Sequence, residues 1–354
     1  GIPSLTTMQL FGRASYEFSD AVTAFAEISY NTGKNSDRNG TPGTLGQGAT
    51  IFNDNAFLTD TVRAALGATP SFTVARPFAE WSLIHQSQKG RNMVINAGME
   101  GKLGSFRWNA YYTHGRSTFS TRSEGIDNQR FYAAVDAVRN NAGEIVCRVS
   151  ITNPGLYPGC TPLNIIGVGN ASQAGRDYIL RDSTWRAVNV MDLGAVTVSG
   201  EAFSLWAGPI GFAVGAEIRK QSLDQTSNSD PATPVDFTGL RGVTSTNQFQ
   251  SVNIGFAKGS YTVKEVFGEL DIPIAKDSAI GTLEVNGAVR LTDYSTSGTV
   301  TTWKVGTTYQ PIPDLRLRGT YSRDIRAPSL FELFAGRQQT TSPLTDLHTG
   351  LSQS

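Results

Sequence analysis

Leu283 to Leu291 reads L-E-V-N-G-A-V-R-L, apolar and polar residues in strict alternation. A strand of this kind has one greasy face and one wet face, so it needs oil on one side and water on the other. The pattern returns along the chain. Leu10, Gly12, Ala14, Tyr16 and Phe18 share one parity against Gln9, Arg13, Ser15 and Glu17, and Val22, Ala24, Ala26, Ile28 and Tyr30 oppose Thr23, Glu27 and Ser29. Met93, Ile95, Ala97 and Met99, then Phe106, Trp108, Ala110 and Tyr112, then Phe212, Val214, Ala216 and Ile218 repeat it. Near the end Trp303, Val305 and Tyr309 oppose Thr302, Lys304 and Gln310, and Leu315, Leu317, Gly319 and Tyr321 oppose Arg316, Arg318, Thr320 and Ser322. This predicts roughly ten strands of about ten residues each, the length a tilted strand needs to cross a bilayer.

The connections carry the second half of the reading. Every other linker is tight: Ser19-Asp20, Leu103-Gly104-Ser105, Ala207-Gly208-Pro209, Ala275-Lys276-Asp277-Ser278 and Pro311-Ile312-Pro313-Asp314. Between them run long ones, from about Thr32 to Lys89, Ser120 to Ser183 and Gln225 to Lys258, with the short hairpin Ser295 to Gly298 as the exception. Long and short loops thus fall at opposite ends of the sheet. That is the plan of an outer-membrane β-barrel, with short turns toward the periplasm and long loops outside.

Hydrophobic residues make up 39% and charged residues 17% of the chain, yet no apolar run is long enough for a membrane helix. A spanning chain without such helices must form a closed barrel, because unpaired backbone groups cannot face lipid. The formal net charge is zero, so no basic field points to nucleic acid. A soluble sandwich also alternates, but its strands are shorter and its loops do not segregate by length. The chain opens at Gly1 without a signal peptide and stops at Ser354 in a Thr/Ser-rich stretch. The expectation is therefore that residues 1–354 are a partial barrel domain, the internal part of a larger one.

The stretch Leu315 to Phe334, L-R-L-R-G-T-Y-S-R-D-I-R-A-P-S-L-F-E-L-F, resembles a signature of TonB-dependent receptors, in which a strand ending in S-R-x-x-R-A-P is followed by L-x-E-L-F. Val289 to Ser295 with Trp303 to Gly306, and Phe203 to Pro209, are similar to the same family. The resemblance implies an all-β transmembrane antiparallel barrel of 22 strands around a plug, with plug, TonB-contacting box and C-terminal strands lying outside this sequence. It marks Arg323, Arg326, Ala327, Pro328, Leu330, Glu332, Leu333 and Phe334 as signature residues with a structural role. Pro328 is expected to end strand pairing and the arginines to anchor the loop base. It implies TonB-energised uptake of a scarce nutrient, such as an iron chelate, vitamin, oligosaccharide or peptide, across the outer membrane of a Gram-negative bacterium. Expected partners are the TonB protein through the plug, a small-molecule or oligosaccharide ligand at the outer loops, and outer-membrane lipid, with no nucleic acid and no cofactor. A passive porin-like channel is the alternative, and a barrel-borne adhesin or enzyme a third.

Cys147 and Cys160 fall in one long loop in C-x12-C spacing, with Asn153-Pro154-Gly155 and Tyr157-Pro158-Gly159 turns between them. Exported proteins meet an oxidising periplasm, so a disulfide is expected, contributing on the order of 3 kcal/mol to loop order. No histidine lies nearby for a metal site. Phe131 to Arg139 and Thr59 to Leu66 carry helical spacing, the second with Thr59 or Asp60 as cap, and read as loop scaffold over the outer mouth. His85, His114 and His348 are scattered, with neither metal-ligand spacing nor a nucleophile elbow, so the chain is not read as an enzyme. Glu265, Glu269 and Asp271, then Glu284 and Arg290, then Lys304, then Arg316 and Arg318 give the polar faces of successive strands acids followed by bases. They read as a wall network, satisfied across strands, or as a polar path for a hydrophilic substrate. Phe57, Trp81 and Trp185 suit sugar stacking or anchoring at a membrane interface.

Overall fold

The structure, a computed structural model, describes residues 3–43, 48–336, 344–345 and 352–353. Ten strands form one antiparallel sheet: β1 (Ser4–Ser19), β2 (Val22–Asn39), β3 (Ile84–Leu103), β4 (Phe106–Ile126), β5 (Leu180–Leu205), β6 (Gly208–Ser227), β7 (Ala257–Ser278), β8 (Gly281–Tyr294), β9 (Gly298–Ile312) and β10 (Leu315–Arg323). Each pairs with its neighbours in sequence, so the sheet is an uninterrupted meander. Tight two-residue turns close one end, and the long connections 40–83, 127–179 and 228–256 leave the other. Four of the five turns overlap the positions the sequence predicts; the turn expected at 275–278 lies at 279–280 instead, because β7 runs on through Ser278, and the long loops are narrower than predicted.

Register explains the alternation. Trp108 stands opposite Val198, which stands opposite Val214; the line continues through Gly268, Val289 and Trp303. Directly opposed residues share a face, so this row is one apolar ribbon across six strands. The adjacent row, Arg107, Ser199, Ala213, Glu269, Ala288 and Lys304, lies on the other face. Leu317 joins Tyr309 and Leu283 on the apolar face, while Arg318 joins Thr308 and Glu284 on the polar one. Half-exposed side chains such as Val214 at 48%, Val289 at 52% and Leu317 at 51% show that no layer of the described residues covers the apolar face.

Strand length departs from expectation. β5 has 26 residues and β4 has 21, about twice what alternation predicts. The ladder continues toward the loops past the point where the apolar parity lapses, because backbone pairing does not require a greasy face. The sheet is also open, since β1 and β10 are its two edges and do not pair with each other.

The hydrophobic core sits in the loops rather than under the sheet. Ala49, Ile51, Phe78 and Trp81 from the first connection pack with Phe131, Tyr132, Leu163 and Ile179 from the second, and Phe237, Leu240 and Val243 from the third pack against them. Short elements brace this core: a ladder of Ala49–Phe52 with Ser71–Val74, another of Ala137–Arg139 with Ile145–Cys147, and helices α1 (Asp60–Leu66), α2 (Asn128–Val135), α3 (Arg148–Thr152) and α4 (Gln173–Ile179). Thr59 caps α1 by accepting from the Val62 amide at 3.3 Å. The second predicted helix is shifted: α2 begins at Asn128, capped by Asp127, and Ala137–Arg139 forms a strand instead.

Candidate functional site

β10 ends at Arg323, and the segment that follows crosses the polar face of the sheet to reach β7. There it forms α5 (Leu330–Phe334), whose N-terminus is a capping box: the Ser329 hydroxyl accepts from the Glu332 amide at 3.2 Å and the Glu332 carboxylate accepts from the Ser329 amide at 2.7 Å. Arg326 grips the same carboxylate with both terminal nitrogens, at 3.0 and 3.1 Å. The Arg326 bonds, then the Ser329 donors, hold the Glu332 carboxyl down at about 2. Pairing stops five residues before Pro328, so the proline does not terminate the ladder as expected; a local bond from the Ser322 hydroxyl to Asp324 at 2.7 Å occupies the exit instead. Arg326 takes an anchoring geometry, whereas Arg323 faces Trp303 across the strand pair and forms no ion pair among the described residues.

The seat of α5 is built by a missing side chain. Gly259 lies on the polar face of β7, and a Cβ there would stand 2.2–2.4 Å from three ring carbons of Phe334. Only glycine lets the ring lie against the backbone. Leu330 packs on the Ala187, Leu223 and Ala257 cluster, and Ala335 bridges to Ala257. Sequence reading passed over Gly259, though a lone glycine in a strand is the signal for such an approach.

Beside α5 opens a cavity of about 820 Å³, with Ala327, Pro328 and Leu330 forming one wall. Opposite them stand Phe119 and Trp185, ring centroids 5.2 Å apart, with Asn189, Gln221 and Tyr261 as polar groups. The Tyr261 hydroxyl donates to Gln221 in a short bond. A comparable hollow of about 910 Å³ lies along the apolar ribbon, lined by Met99, Ala110, Val196 and Ile218. The polar-face cavity is the candidate ligand site, because aromatic planes and hydrogen-bonding groups converge there. Trp185 therefore stands where stacking is feasible. Trp81 does not: it is buried in the loop core, stacked on Phe78, with its indole nitrogen donating to the Ala171 carbonyl at 3.0 Å. Phe57 is half-buried in the same loop layer.

Four charges tie the three loops together. Arg241 of the third loop reaches Asp136 of the second at 2.8 and 2.9 Å and Asp54 of the first at 2.6 Å. Arg148 joins both aspartates from the second loop. The Arg241 guanidinium also lies 3.8 Å from the centroid of the Phe52 ring. Burial works to raise the Asp54 carboxyl, but the bonds from Arg241 and Arg148 outweigh it and the net shift is downward. Nearby, Cys147 and Cys160 are joined, their Cα atoms 6.1 Å apart, with Cys147 fully buried against Ala133 and Val149. Asn128, also fully buried, donates to Ser245 at 3.0 Å and the Asn247 carbonyl at 2.9 Å, locking the second loop to the third.

The polar-face charges divide into two groups. Glu265 accepts from Thr292 at 2.8 Å and pairs with Arg290 at 3.5 Å, and Arg219 pairs with Glu217 at 3.0 Å. Glu269, Asp271, Glu284, Lys304 and Arg318 form no ion pair among the described residues, and Arg316 reaches only Gln310. Of the acid-then-base pattern, Glu265 and Arg290 alone pair with each other among the described residues. His114 bonds Asp192 at 2.8 Å at the outer end of the apolar face, and His85 bonds Ser36 at 3.0 Å; His348 lies outside the described residues.

The family model described as TonB dependent receptor-like, beta-barrel matches residues 26–350. Among solved structures, the chain is similar to the RagAB peptide transporter at 13% identity, over 89% of this chain and 32% of that one, with a TM-score of 0.45. It is similar also to the siderophore receptor PiuA from Acinetobacter baumannii at 12% identity, over 90% of this chain and 42% of that one, with a TM-score of 0.42. The chain thus spans less than half the length of either structure. No curated protein matches it.

Proposed function

The chain belongs to the TonB-dependent receptor β-barrel family, whose members are outer-membrane nutrient transporters, and from that premise we propose that it forms part of the wall and outer mouth of a TonB-energised receptor. The observation that supports this best is the pairing of a fused loop layer with an open polar-face cavity. Loops that share one core cannot open singly, so they suit a ligand site closed by a gate rather than a freely wet pore. The apolar ribbon then faces lipid and the polar face the lumen. The free edges of β1 and β10 pair with further strands of the parent, and its plug supplies counter-charges to the unpaired lumenal acids and bases. The TonB protein would pull on that plug.

The substrate class remains a scarce solute such as an iron chelate, vitamin, oligosaccharide or peptide. The cavity beside Trp185 is its first contact in this part of the wall. In a strain expressing the parent receptor, uptake of the cognate ligand should stop when TonB is deleted while surface binding persists. Undiminished uptake would overturn the energised reading in favour of a passive channel.

A further inference from the structure

Along successive strands the apolar parity ends in a cation. Going toward the loops, Ile218 gives way to Lys220 on β6 and Val266 to Lys264 on β7; Tyr112 is followed by His114 and Arg116 on β4, Met93 by Arg91 and Lys89 on β3, and Tyr30 by Thr32 and Lys34 on β2. Measured by the β4 residue at the same level, the first cation stands at Tyr112 on β7, His114 on β6, Arg116 on β4, Thr118 on β3 and Ser120 on β2. Between β2 and β7 only β5 departs from the line, with Asp192 on it and its first cation, Arg186, level with Ser120. The line climbs eight residues from β7 to β2. At about 3.3 Å per residue against about 4.8 Å per strand spacing, it is inclined by roughly 45° to the rows, which is how a membrane plane cuts strands tilted by that amount.

At the upper end of this line the charges are not compensated. Lys34, Lys89, Arg91, Arg116 and Arg186 are exposed, on the apolar parity, and without an acidic partner among the described residues. Lys34 stands directly opposite Lys89, a like-charge pairing that destabilises a sheet. The acids of the same face are already committed: Asp182 to Arg122 at 2.6 Å, Asp192 to His114 at 2.8 Å and Asp224 to Lys258 at 3.0 Å. Lys89, Arg91, Arg116 and Arg186 line a hollow of about 380 Å³ whose edge is formed by Tyr30 and Met93.

We propose that this hollow on the outer wall binds the multiply phosphorylated headgroup of an outer-leaflet lipid. The inference rests on the outer-membrane reading above. Several free cations on four strands call for a polyanion rather than one phosphate, and arginine forks suit phosphate oxygens. The four cations of the hollow stand on the apolar parity; the hollow shares Asn92, Met93 and Arg116 with the wall of the lumenal cavity, and its Tyr30 and Met93 edge continues into the ribbon that would meet acyl chains.

The test uses the full-length parent receptor, purified in detergent and reconstituted into phosphatidylcholine vesicles alone or doped with a bisphosphorylated or a dephosphorylated glucosamine lipid. Retained lipid is counted by native mass spectrometry. The wild type should retain the bisphosphorylated lipid at least tenfold over the dephosphorylated one. The variant K89Q/R91Q/R186Q should lose that preference, while R107Q, which removes a lumenal charge, should keep it. The proposal is overturned if the triple variant retains as much as the wild type, or if a soluble bisphosphorylated glucosamine disaccharide without acyl chains competes as well as the lipid. Insertion into the undoped vesicles is scored separately, and failure there would count against the outer-membrane reading itself.

Discussion

Replacing Arg241 by alanine should unfasten the third loop from the other two. The side chain makes three charge-assisted bonds, to Asp136 and Asp54, at 2.6–2.9 Å and covers the Phe52 ring. Its removal leaves Asp136, only 9% exposed at the side chain, with Arg148 alone, at 3.3 Å. Breaking a buried pair costs about 3–5 kcal/mol. Arg241 and Asp54 are 34% and 46% exposed, so solvent screening reduces the figure. An expected loss of about 2 kcal/mol raises the opening equilibrium of residues 228–256 roughly thirtyfold. Hydrogen exchange read by mass spectrometry on peptides of that loop measures this directly, since opening need not involve the barrel. D136N alone and with R241A completes a cycle, and a coupling above about 1 kcal/mol is expected for groups in contact. If protection of 228–256 in R241A stays within twofold of wild type, the network does not hold the loops together and the reasoning fails.

Mass mapping without reductant should find Cys147 linked to Cys160 in the exported protein; two free thiols would contradict it. Gly259→Val should eject Phe334 from its seat and increase exchange in 330–335 at least tenfold, whereas the same change at Gly90, where a Cβ meets nothing within 4 Å, should leave that segment alone. Because the folded Glu332 carboxyl is held down at about 2 from an ordinary 4.5, its support of α5 is complete above the ordinary value and fades as pH falls from there through about 2. Protease cleavage within 326–336 should therefore rise over that acid window in the wild type and be constant and high in E332Q. Cysteines at Trp108, Tyr112, Val289 and Leu317 should place a spin probe in contact with lipid and those at Arg107, Asn109, Arg290 and Arg318 in water, and the opposite order would mean a register shifted by one.

The barrel wall was legible because its code is local. Parity along Leu283 to Leu291 names a face, and a turn such as Gly104-Ser105 names a strand end, so strand number, order and faces follow without tertiary knowledge. Strand length was not legible: above the apolar ribbon both faces are wet, so Lys89 and Ser120 read as loop although the ladder continues through them. The loop core was visible only as capped fragments such as Thr59 before α1. Its ties join Asp54 to Arg241, 187 residues apart, and Asn128 to Ser245, 117 apart, and no pattern in a short window encodes such pairs. The signature block was found by likeness and its parts named, but its destination was not. The socket at Gly259 that receives Phe334 sits three strands from β10.

On the receptor reading proposed above, the shared core of the outer loops bears on how the parent can change its ligand. A graft of residues 228–256 alone would leave Asp54 and Asp136 facing a foreign residue in place of Arg241, and Asn128 without Ser245. A graft of 40–83 alone would strip Phe52 from beneath the guanidinium. New specificity is then inherited as a three-part cassette or by substitutions confined to the cavity wall. Chimaeras that exchange all three loops should express where single-loop exchanges misfold.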